Sequence, residues 1–441
     1  MLTRFFDIEA RGTTIAREVR GAVATFLTMS YIVVANPAIL SAAGVPADAA
    51  ATATAAVAAL TCLLMGLGAN FPMALAPGMG LNAVVAFQIA PVTGSWQTAM
   101  GLVVLDGLVV LALVVVGLRE AVMRAIPADL RRAIGVGIGL FIAFIGLVNA
   151  RLVVVPGGTV ATLAADPDAV LPPVTYGTLA AAEPAIALAG LLLTAYVLYR
   201  RWNGALVLGI GASTALAALA GVVTLPVEGL WRAPSFETFF AADVGGALAW
   251  RFVPLLIAIV MVDFFDTIGT VTAVADAGHL ADDRGQVPGL RRILAVDAVG
   301  ASLGGLFGAS SATSYIESAA GVSEGARTGL HTVVVGLLFA VAVMAAPLAA
   351  LVPAAATAPA LIVVGFLMCA QITRIDFGRL DTGLPAFLVV VLVPLTYSIS
   401  HGIGYGFIAH VAIKLLERRP RELHPLMIGS ALAFAAYFVL G

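Results

Sequence analysis

The chain has 441 residues, of which 61% are hydrophobic and 11% charged, with a mean hydropathy of +1.05 and a formal net charge of −2. Such a composition lies beyond the range of soluble globular domains and predicts a chain embedded in a bilayer. The near-neutral charge gives no basis for nucleic-acid binding, so lipid and small solutes are the expected partners. Cys62 and Cys369 lie in apolar runs away from any cysteine or histidine cluster. We therefore expect no disulfide, no metal and no cofactor.

The first twenty residues are polar and charged, and they lack the basic-then-apolar order and the cleavage site of a signal peptide. We expect residues 1–20 to form a cytoplasmic N-terminus and the first apolar helix to insert uncleaved. Arginine and lysine also collect near residues 119–132, 284–292 and 414–421, which the positive-inside rule assigns to the cytoplasm. The pattern predicts a multi-pass protein of the inner (plasma) membrane.

Apolar runs follow one another along the chain, and several are too short to cross a bilayer alone. The run at 22–35 ends in Asn36-Pro37, the run at 72–90 is interrupted by prolines and glycines, and the run at 311–323 is rich in serine and threonine. Broken helices explain all three. Because interrupted backbone survives at membrane depth only where protein or water satisfies it, these breaks predict a shared polar centre.

Two carboxylates interrupt the long apolar stretch from Phe252 to Ala275. Asp263 and Asp266 are three residues apart, which puts them on one face of a helix. An acid in hydrocarbon costs several kcal/mol, so an intramembrane acid normally faces a cavity, a partner or a substrate. The pair therefore indicates a functional site.

The two halves of the chain have related patterns. Seven spans precede the Asp263 helix, so the second half begins from the opposite side of the membrane, as in an inverted repeat. The first and third helices of each half carry the unusual polarity, and we expect them to cross near the midplane; they contain residues 26–37 and 76–87 in the first half, and 261–272 and 309–321 in the second.

Four strings carry a resemblance to a known family: FLTMSYIVVANPAILSAAG, NFPMALAPGMGLNAVVAF, VDFFDTIGT and ATSYIESAAGVSEGARTGL. They resemble the signature segments of the nucleobase-cation symporter 2 (xanthine/uracil permease) family, in its azaguanine-like branch of adenine, guanine and hypoxanthine permeases. The resemblance covers essentially the whole chain. It implies a secondary active transporter that imports purine nucleobases by proton symport, with alternating access, and that forms a homodimer.

The resemblance also implies an all-α polytopic fold of about fourteen transmembrane spans in two inverted seven-span repeats, with broken third and tenth spans. A core domain and a gate domain are each assembled from two parts. The implied core parts are residues 21–117 (spans 1–4) and 251–350 (spans 8–11), and the implied gate parts are residues 118–250 (spans 5–7) and 351–441 (spans 12–14).

Family site residues transfer to matching positions. The carboxylate of the eighth span that grips the base corresponds to Asp266, and the tenth span supplies Tyr315 and Glu317. Ser318-Ala319-Ala320-Gly321 follows Glu317, in place of the Asn-x-Gly core of the xanthine and uracil branches, so those substrates are disfavoured. The resemblance leaves open whether Asp263 contacts the substrate or supports Asp266.

The chemistry agrees with this assignment. Purine bases present N–H donors, and a carboxylate at low dielectric binds them well. Burial and a like-charged neighbour favour protonation of an acid, which suits a proton carrier. We assign proton coupling to Glu317 and Asp266, with Asp266 as the anchor of the base. The expected further contacts are hydroxyl and amide groups and a stacking ring, supplied by Thr313, Asn82, Thr28 and Phe265 or Tyr315.

Three alternatives stay open. An anion or other small-solute transporter of the same fold would usually present a cation or helix N-termini at its site rather than two acids. A channel requires a continuous polar pore, whereas the polarity here is confined to a few breaks. A membrane-embedded enzyme that uses an acid pair would be exposed by product formation. The preferred purine and the coupling ion do not follow from the residues.

Overall fold

The computed structural model describes residues 2–118, 125–156, 159, 162, 174–202, 204–223, 233–278, 280, 287–349 and 352–440. Within these ranges the side chains of some residues, Phe265 and Asp266 among them, are outside the description. The described chain is mostly helical. The α-helices in chain order are α1 Leu2–Phe5, α2 Ile15–Met29, α3 Ile32–Leu40, α4 Ala47–Leu64, α5 Met79–Val84, α6 Ala90–Thr93, α7 Trp96–Val115, α8 Ala128–Asn149, α9 Ala182–Tyr199, α10 Ala205–Leu219, α11 Val244–Ala247, α12 Val253–Gly278, α13 Leu290–Phe307, α14 Ser318–Ser323, α15 Gly329–Ala342, α16 Ala346–Ala349, α17 Ala354–Cys369, α18 Leu380–Leu395, α19 Ile399–Leu416 and α20 Pro425–Leu440.

Short helices of other types extend or join several of these elements. Two are π-helical, Met65–Ala69 at the end of α4 and Val85–Ile89 after α5. The 3₁₀ helices are Ser41–Ala43, Trp250–Phe252, Val343–Ala345, Ala370–Arg374 and Pro420–Glu422.

The described residues contain eight helices that are long and apolar enough to cross a membrane. They are Ile15–Ala43, Ala47–Ala69, Trp96–Val115, Ala128–Asn149, Ala182–Tyr199, Gly329–Ala349, Ala354–Arg374 and Ile399–Leu416. Shorter apolar helices occur at Met79–Thr93, Ala205–Leu219, Leu380–Leu395 and Pro425–Ala436. The chain is therefore a polytopic membrane protein, as its composition predicts.

The third and tenth predicted spans are broken, and the breaks contain strands. β1 (Leu75–Pro77) pairs antiparallel with β4 (Ala312–Ser314), and Ala76 lies opposite Thr313. Two further backbone bonds extend the contact, from Gly78 N–H to the Ser311 carbonyl at 2.8 Å and from Tyr315 N–H to the Ala74 carbonyl at 3.0 Å. The expected helical fold is confirmed, and the described residues add short strand pairs of two or three residues. Each broken span satisfies its freed backbone groups on the equivalent span of the other half, as membrane depth requires.

A second short pair lies in the connection before α9. Its strands, β2 (Val153–Val154) and β3 (Thr175–Tyr176), pair antiparallel, with Val153 opposite Tyr176. Tyr176 is 86% exposed, so this pair lies away from the core.

The first predicted span also has a discontinuity near its middle. Helix α2 ends at Met29 and α3 begins at Ile32, with Ser30 and Tyr31 between them. Pro37 lies inside α3, and the side-chain amide of Asn36 donates to Thr54 Oγ1 at 2.8 Å and to the Ala309 carbonyl at 3.0 Å. The Asn36 side chain therefore ties this helix to α4 and to the residues before β4.

The helices pack in two neighbourhoods. In one, α15 packs against α2 and α4, and α13 packs against α7. In the other, α8 packs against α17 and α18, and α18 packs against α19. The strands β1 and β4 belong to the first neighbourhood, and a cavity lies in the space between them and α8.

Candidate functional site

A cavity of about 370 Å³ lies between the paired strands and helices α8 and α17. Small and apolar residues form much of its wall, and a series of polar side chains comes from the β4 region. It is lined by Tyr31, Gly78, Met79, Gly80, Arg131, Ile134, Gly135, Ile138, Ile142, Thr270, Thr313, Ser314, Tyr315, Ile316, Glu317, Val364, Leu367, Met368 and Gln371. A concave, mostly apolar space of this size with a few convergent polar groups is typical of a small-molecule site.

Glu317 reaches the cavity from the turn between β4 and α14. Its carboxylate Oε1 accepts a hydrogen bond of 3.0 Å from the Tyr31 hydroxyl. Its residue surface is neither fully buried nor fully exposed, so a solute in the cavity has access to it. The strand ends at Ser314 and the helix begins at Ser318; this break in regular structure presents the acid at the cavity wall.

Tyr315 is fixed by the partner strand. Its hydroxyl donates to the Pro77 carbonyl at 2.6 Å, and its residue is 6% exposed. Pro77 is the last residue of β1, so this bond ties the second broken span to the first. The ring of Tyr315 lines the cavity in a fixed orientation, which suits a flat contact surface.

Thr313 belongs to a hydrogen-bonded group behind the cavity wall. Its hydroxyl lies 3.2 Å from Thr267 Oγ1 on α12. Thr267 in turn donates to Asp297 Oδ2 at 2.5 Å, and Ser314 donates to Asp297 Oδ1 at 2.9 Å. The buried Asp297 carboxylate therefore holds β4 against α12, which is a positioning role at the back of the site.

Helix α12 carries the predicted acid pair and contacts β4 along part of its length. Thr270 of this helix lines the cavity, whereas Asp263 is fully buried and lies outside the lining residues that the structure describes. The side chains of Asp266 and Phe265 are outside the described part. Asp266 precedes Thr270 by four residues, so the two share one helix face by spacing.

Asn82 and Thr28 lie away from the cavity lining. Asn82 is on α5, fully buried, and neither its side-chain oxygen nor its nitrogen has a hydrogen-bond partner among the described residues. Such an amide is costly unless another group completes it. The Thr28 hydroxyl donates to the Ala24 and Thr25 carbonyls of its own helix, so its hydrogen-bonding capacity is used locally.

Five polar lining residues were not anticipated from the sequence: Tyr31, Arg131, Thr270, Ser314 and Gln371. An aromatic residue in an apolar run resembles a core residue, so Tyr31 carried no distinguishing pattern. Thr270 was detectable, because it lies four residues after Asp266 on the predicted helix. For Arg131, the sequence indicated only that it belongs to a basic cluster on the cytoplasmic side.

Arg131 and Gln371 mark one end of the cavity. Arg131 is in the first turn of α8, and Ile142, eleven residues later, also lines the cavity; this corresponds to about 16 Å along the helix axis. The Arg131 guanidinium has no hydrogen bond or ion pair to any described residue and is exposed. The neighbouring Arg132 donates to the Arg374 carbonyl at 2.9 Å, so this end of α8 abuts the 3₁₀ helix that contains Gln371. Over the described residues, no group of three or more His, Cys, Asp or Glu side chains could hold a metal ion.

Comparison with known proteins agrees with this architecture. The model of the Permease family (Xan_ur_permease) matches residues 17–404. The chain belongs to this permease family. It is a membrane transporter and not an enzyme, and the resemblance seen in its signature strings is confirmed.

Relatives match the whole length of the chain. The chain is 38% identical to the adenine permease AdeP of Escherichia coli (strain K12) over 437 residues, covering 98% of this chain and 95% of the relative. It is 35% identical to the guanine/hypoxanthine permease PbuG of Bacillus subtilis (strain 168) over 454 residues, covering 99% of each.

A solved structure has the same fold. The transmembrane domain of the cyanobacterial bicarbonate transporter BicA superposes with a TM-score of 0.60 at 19% identity, covering 88% of this chain and 96% of that one. At this identity the likeness concerns the fold alone, and the pairing of β1 with β4 between equivalent broken spans is consistent with its inverted-repeat organisation.

Proposed function

We propose that the chain imports purine nucleobases by proton symport and that the base binds in the 370 Å³ cavity beside Glu317. The observation that carries the proposal is an acid on the wall of an otherwise mostly apolar cavity, held by Tyr31 at 3.0 Å. The comparisons support the proposal, because relatives that match nearly the full chain are named adenine and guanine/hypoxanthine permeases. The preferred purine is left open.

The lining chemistry suits a flat base with several N–H donors. The Glu317 carboxylate accepts hydrogen bonds, the Tyr315 ring offers a flat face, and the Thr313 hydroxyl lies beside them. We assign the second acceptor to Asp266, one turn before the cavity-lining Thr270. A base without the matching donor leaves a buried acceptor unpaired, at a cost of about 1–3 kcal/mol, which gives selectivity.

Supporting roles are assigned by position. Asp263 and Asn82, both fully buried outside the lining, contribute through neighbouring residues or in another conformation of the cycle. Phe265 stays a predicted stacking residue. Thr28 is the weakest member of the predicted set, because its hydroxyl is bonded within its own helix.

We assign proton coupling to Glu317, the same acid that contacts the base in this proposal. In an apolar cavity an ionised carboxylate is less stable than in water, so a proton taken up with the base makes the loaded site easier to close. We infer that Glu317 takes up the proton outside and releases it inside. Residues 1–20 and Arg131 then lie on the cytoplasmic side of the inner membrane, and the cavity end formed by Arg131 and Gln371 faces the cytoplasm.

The alternation of access is proposed to move one neighbourhood of helices against the other. The core domain (residues 21–117 and 251–350) carries β1, β4 and Glu317. The gate domain (residues 118–250 and 351–441) carries α8 and α17 on the opposite wall. A rocking of this wall opens the cavity to either side. We also propose that the protein forms a homodimer.

Anion transport is the alternative that the fold permits. The Arg131 guanidinium at one end of the cavity has no partner among the described residues and favours anion transport, whereas the Glu317 carboxylate on the opposite wall disfavours it. A neutral base with donors and acceptors satisfies both groups better than an anion does.

Uptake measurements test the proposal. Radiolabelled adenine, guanine, hypoxanthine, xanthine, uracil and bicarbonate are offered to purine-transport-deficient cells, with and without a protonophore. The variants are Glu317→Gln and Asp266→Asn at matched membrane level. The control is Glu324→Gln. Glu324 follows α14, and its carboxylate Oε2 forms a surface ion pair with Arg20 Nε at 2.8 Å.

We expect purine uptake that falls by at least about 100-fold with the protonophore and with Glu317→Gln, since both remove the proton step. Glu324→Gln retains uptake within about threefold, as expected for a surface ion pair. Uptake of bicarbonate alone would replace the proposal by anion transport. Purine uptake that is insensitive to both site variants would retain the substrate and remove the assigned acids.

A further inference from the structure

Tyr31 joins the first half of the chain to the acid of the second half. Its hydroxyl donates to Glu317 Oε1 at 3.0 Å across 286 residues of sequence. It also lines the cavity. The contact therefore lies at the point where the proposed base and the proposed proton carrier meet.

The position of the hydroxyl is set by packing and not by the cavity. Tyr31 is 1% exposed and is among the largest fully buried side chains of the core. Its backbone forms the discontinuity between α2 and α3, and its carbonyl accepts from Ala35 N–H at 2.9 Å, which starts α3. Ring and backbone are both fixed, so the hydroxyl is a stationary donor.

A stationary donor restricts a mobile acid. If the Glu317 carboxylate turned away, the Tyr31 hydroxyl would stay buried without that acceptor, which is unfavourable. A phenol also accepts a hydrogen bond, so the contact persists when Glu317 is protonated. The pair therefore holds one carboxylate orientation in both protonation states.

We propose that Tyr31 is the positioning residue of Glu317, fixing the carboxylate in the orientation that receives the N–H donors of the base. The inference rests on the proposed function, since it needs Glu317 as a contact of the base. It predicts that loss of the Tyr31 hydroxyl lowers the affinity for the base while turnover and folding are retained.

The test is initial-rate uptake by wild type, Tyr31→Phe and the control Tyr397→Phe, at matched membrane level, with the thermal stability of each purified protein. Tyr397 is half-buried among Phe87, Phe141 and Phe144, and its hydroxyl has no hydrogen bond to a described residue. Each variant thus removes one phenolic oxygen. In Tyr31→Phe this oxygen lies at the site, and in Tyr397→Phe it lies away from the site.

We expect Tyr31→Phe to raise the apparent KM for the transported purine about tenfold to thirtyfold, as loss of a hydrogen bond to a charged group predicts. Maximal rate and thermal stability stay near the wild-type values, and Tyr397→Phe changes none of the three. An unchanged KM overturns the inference, and so does a lower maximal rate with lower stability at unchanged KM, because both indicate a purely structural tyrosine.

Two further outcomes are distinguished. If wild type transports no purine, the proposed function fails and this inference fails with it; if Glu317→Gln loses uptake while Tyr31→Phe is normal, only this inference fails. Should Tyr31→Phe not reach the membrane, 3-fluorotyrosine at position 31 keeps the shape of the ring and changes the donor strength of the hydroxyl. A KM that then stays within the error of wild type also overturns the inference.

Discussion

The two broken spans that meet at the cavity have the same backbone plan and opposite chemistry. The first crossing segment (residues 71–84) contributes β1, small residues and a proline carbonyl. The second crossing segment (residues 309–323) contributes β4, three hydroxyl-bearing residues that line the cavity and the acid Glu317. One segment shapes the wall and the other supplies the polar side chains.

This difference has a steric origin. The segments approach each other closely enough that a Cβ at Gly78 would lie 2.5 Å from the Thr313 methyl group. A side chain at this place in the first segment would force the Thr313 side chain of the second segment to shift. The small residues of the first segment therefore leave room for the polar side chains of the second segment at the cavity wall.

Among the substitutions that test this comparison of the two segments, the largest effect is expected from filling the space beside Gly78. Gly78→Ala forces the Thr313 methyl aside, and overpacking of about 1–3 kcal/mol predicts a loss of uptake of about 10-fold to 100-fold. Adding Thr313→Ser removes the obstructing methyl, keeps the hydroxyl 3.2 Å from Thr267 and restores uptake to within about threefold of wild type. The measurement is uptake at matched membrane level.

Gly211→Ala is the matched control, because a Cβ there meets no atom within 4 Å. If Gly78→Ala transported normally, or if Thr313→Ser gave no rescue, the steric explanation of the difference between the segments would be wrong.

The next largest effect concerns the one polar side chain of the first crossing segment that is buried without a described partner. Asn82→Leu removes an unsatisfied buried amide, so the thermal stability of the purified protein is expected to be unchanged or higher, while uptake falls at least about tenfold if another state of the cycle uses the amide. Melting temperature and uptake are measured on the same preparations.

Asn36→Leu serves as the contrast. Its amide donates to Thr54 and to the Ala309 carbonyl, so its loss leaves a buried acceptor and lowers stability by about 1–3 kcal/mol. A fall in the stability of Asn82→Leu as large as that of Asn36→Leu would assign Asn82 an ordinary structural role.

A smaller effect is expected at the end of the second crossing segment. Arg327 Nη1 donates to the Val322 and Ala326 carbonyls at 2.6 and 2.7 Å, and its backbone N–H donates to Glu18 Oε1 at 2.8 Å. Arg327→Ala removes this donor from the carbonyl of Val322, in the last turn of α14, and from the carbonyl of Ala326, which follows the helix. The amount of protein in the membrane is expected to fall severalfold, and the apparent KM of the remaining protein stays within about twofold of wild type.

Quantitative blotting measures the amount of Arg327→Ala protein in the membrane, and uptake kinetics measure its apparent KM. A selective rise in KM at normal protein level would instead give Arg327 a role in binding.

The smallest effect is expected from a bond that joins the two segments away from the cavity. Ser318 Oγ accepts from Ala74 N–H at 2.9 Å. Ser318→Ala leaves that buried N–H without its partner, which lowers stability by about 1–2 kcal/mol and uptake by less than about threefold. Thermal stability in detergent checks it, and a loss of uptake comparable to that of Gly78→Ala would contradict the ranking.

Sequence reasoning anticipated three of the residues that line the candidate cavity: Glu317 and Tyr315 through the family resemblance, and Thr313 through its place beside them. The breaks at the third and tenth spans were visible in local patterns, because prolines, glycines and hydroxyl residues that interrupt an apolar run can be recognised within one segment. Asp263 was equally visible in sequence, yet it is buried outside the described lining. Its spacing fixed its face on the helix but not which neighbour that face meets.

The sequence by itself determined that this protein lives in a membrane, where its spans break and which intramembrane acids require an explanation. These follow from hydropathy and from the cost of charge in hydrocarbon, which are properties of single segments. Tertiary structure alone decided that Ala76 lies opposite Thr313, that Tyr31 meets Glu317 and that Thr28 turns to its own helix. Such contacts depend on how distant helices pack, and no periodicity within one helix encodes its partner.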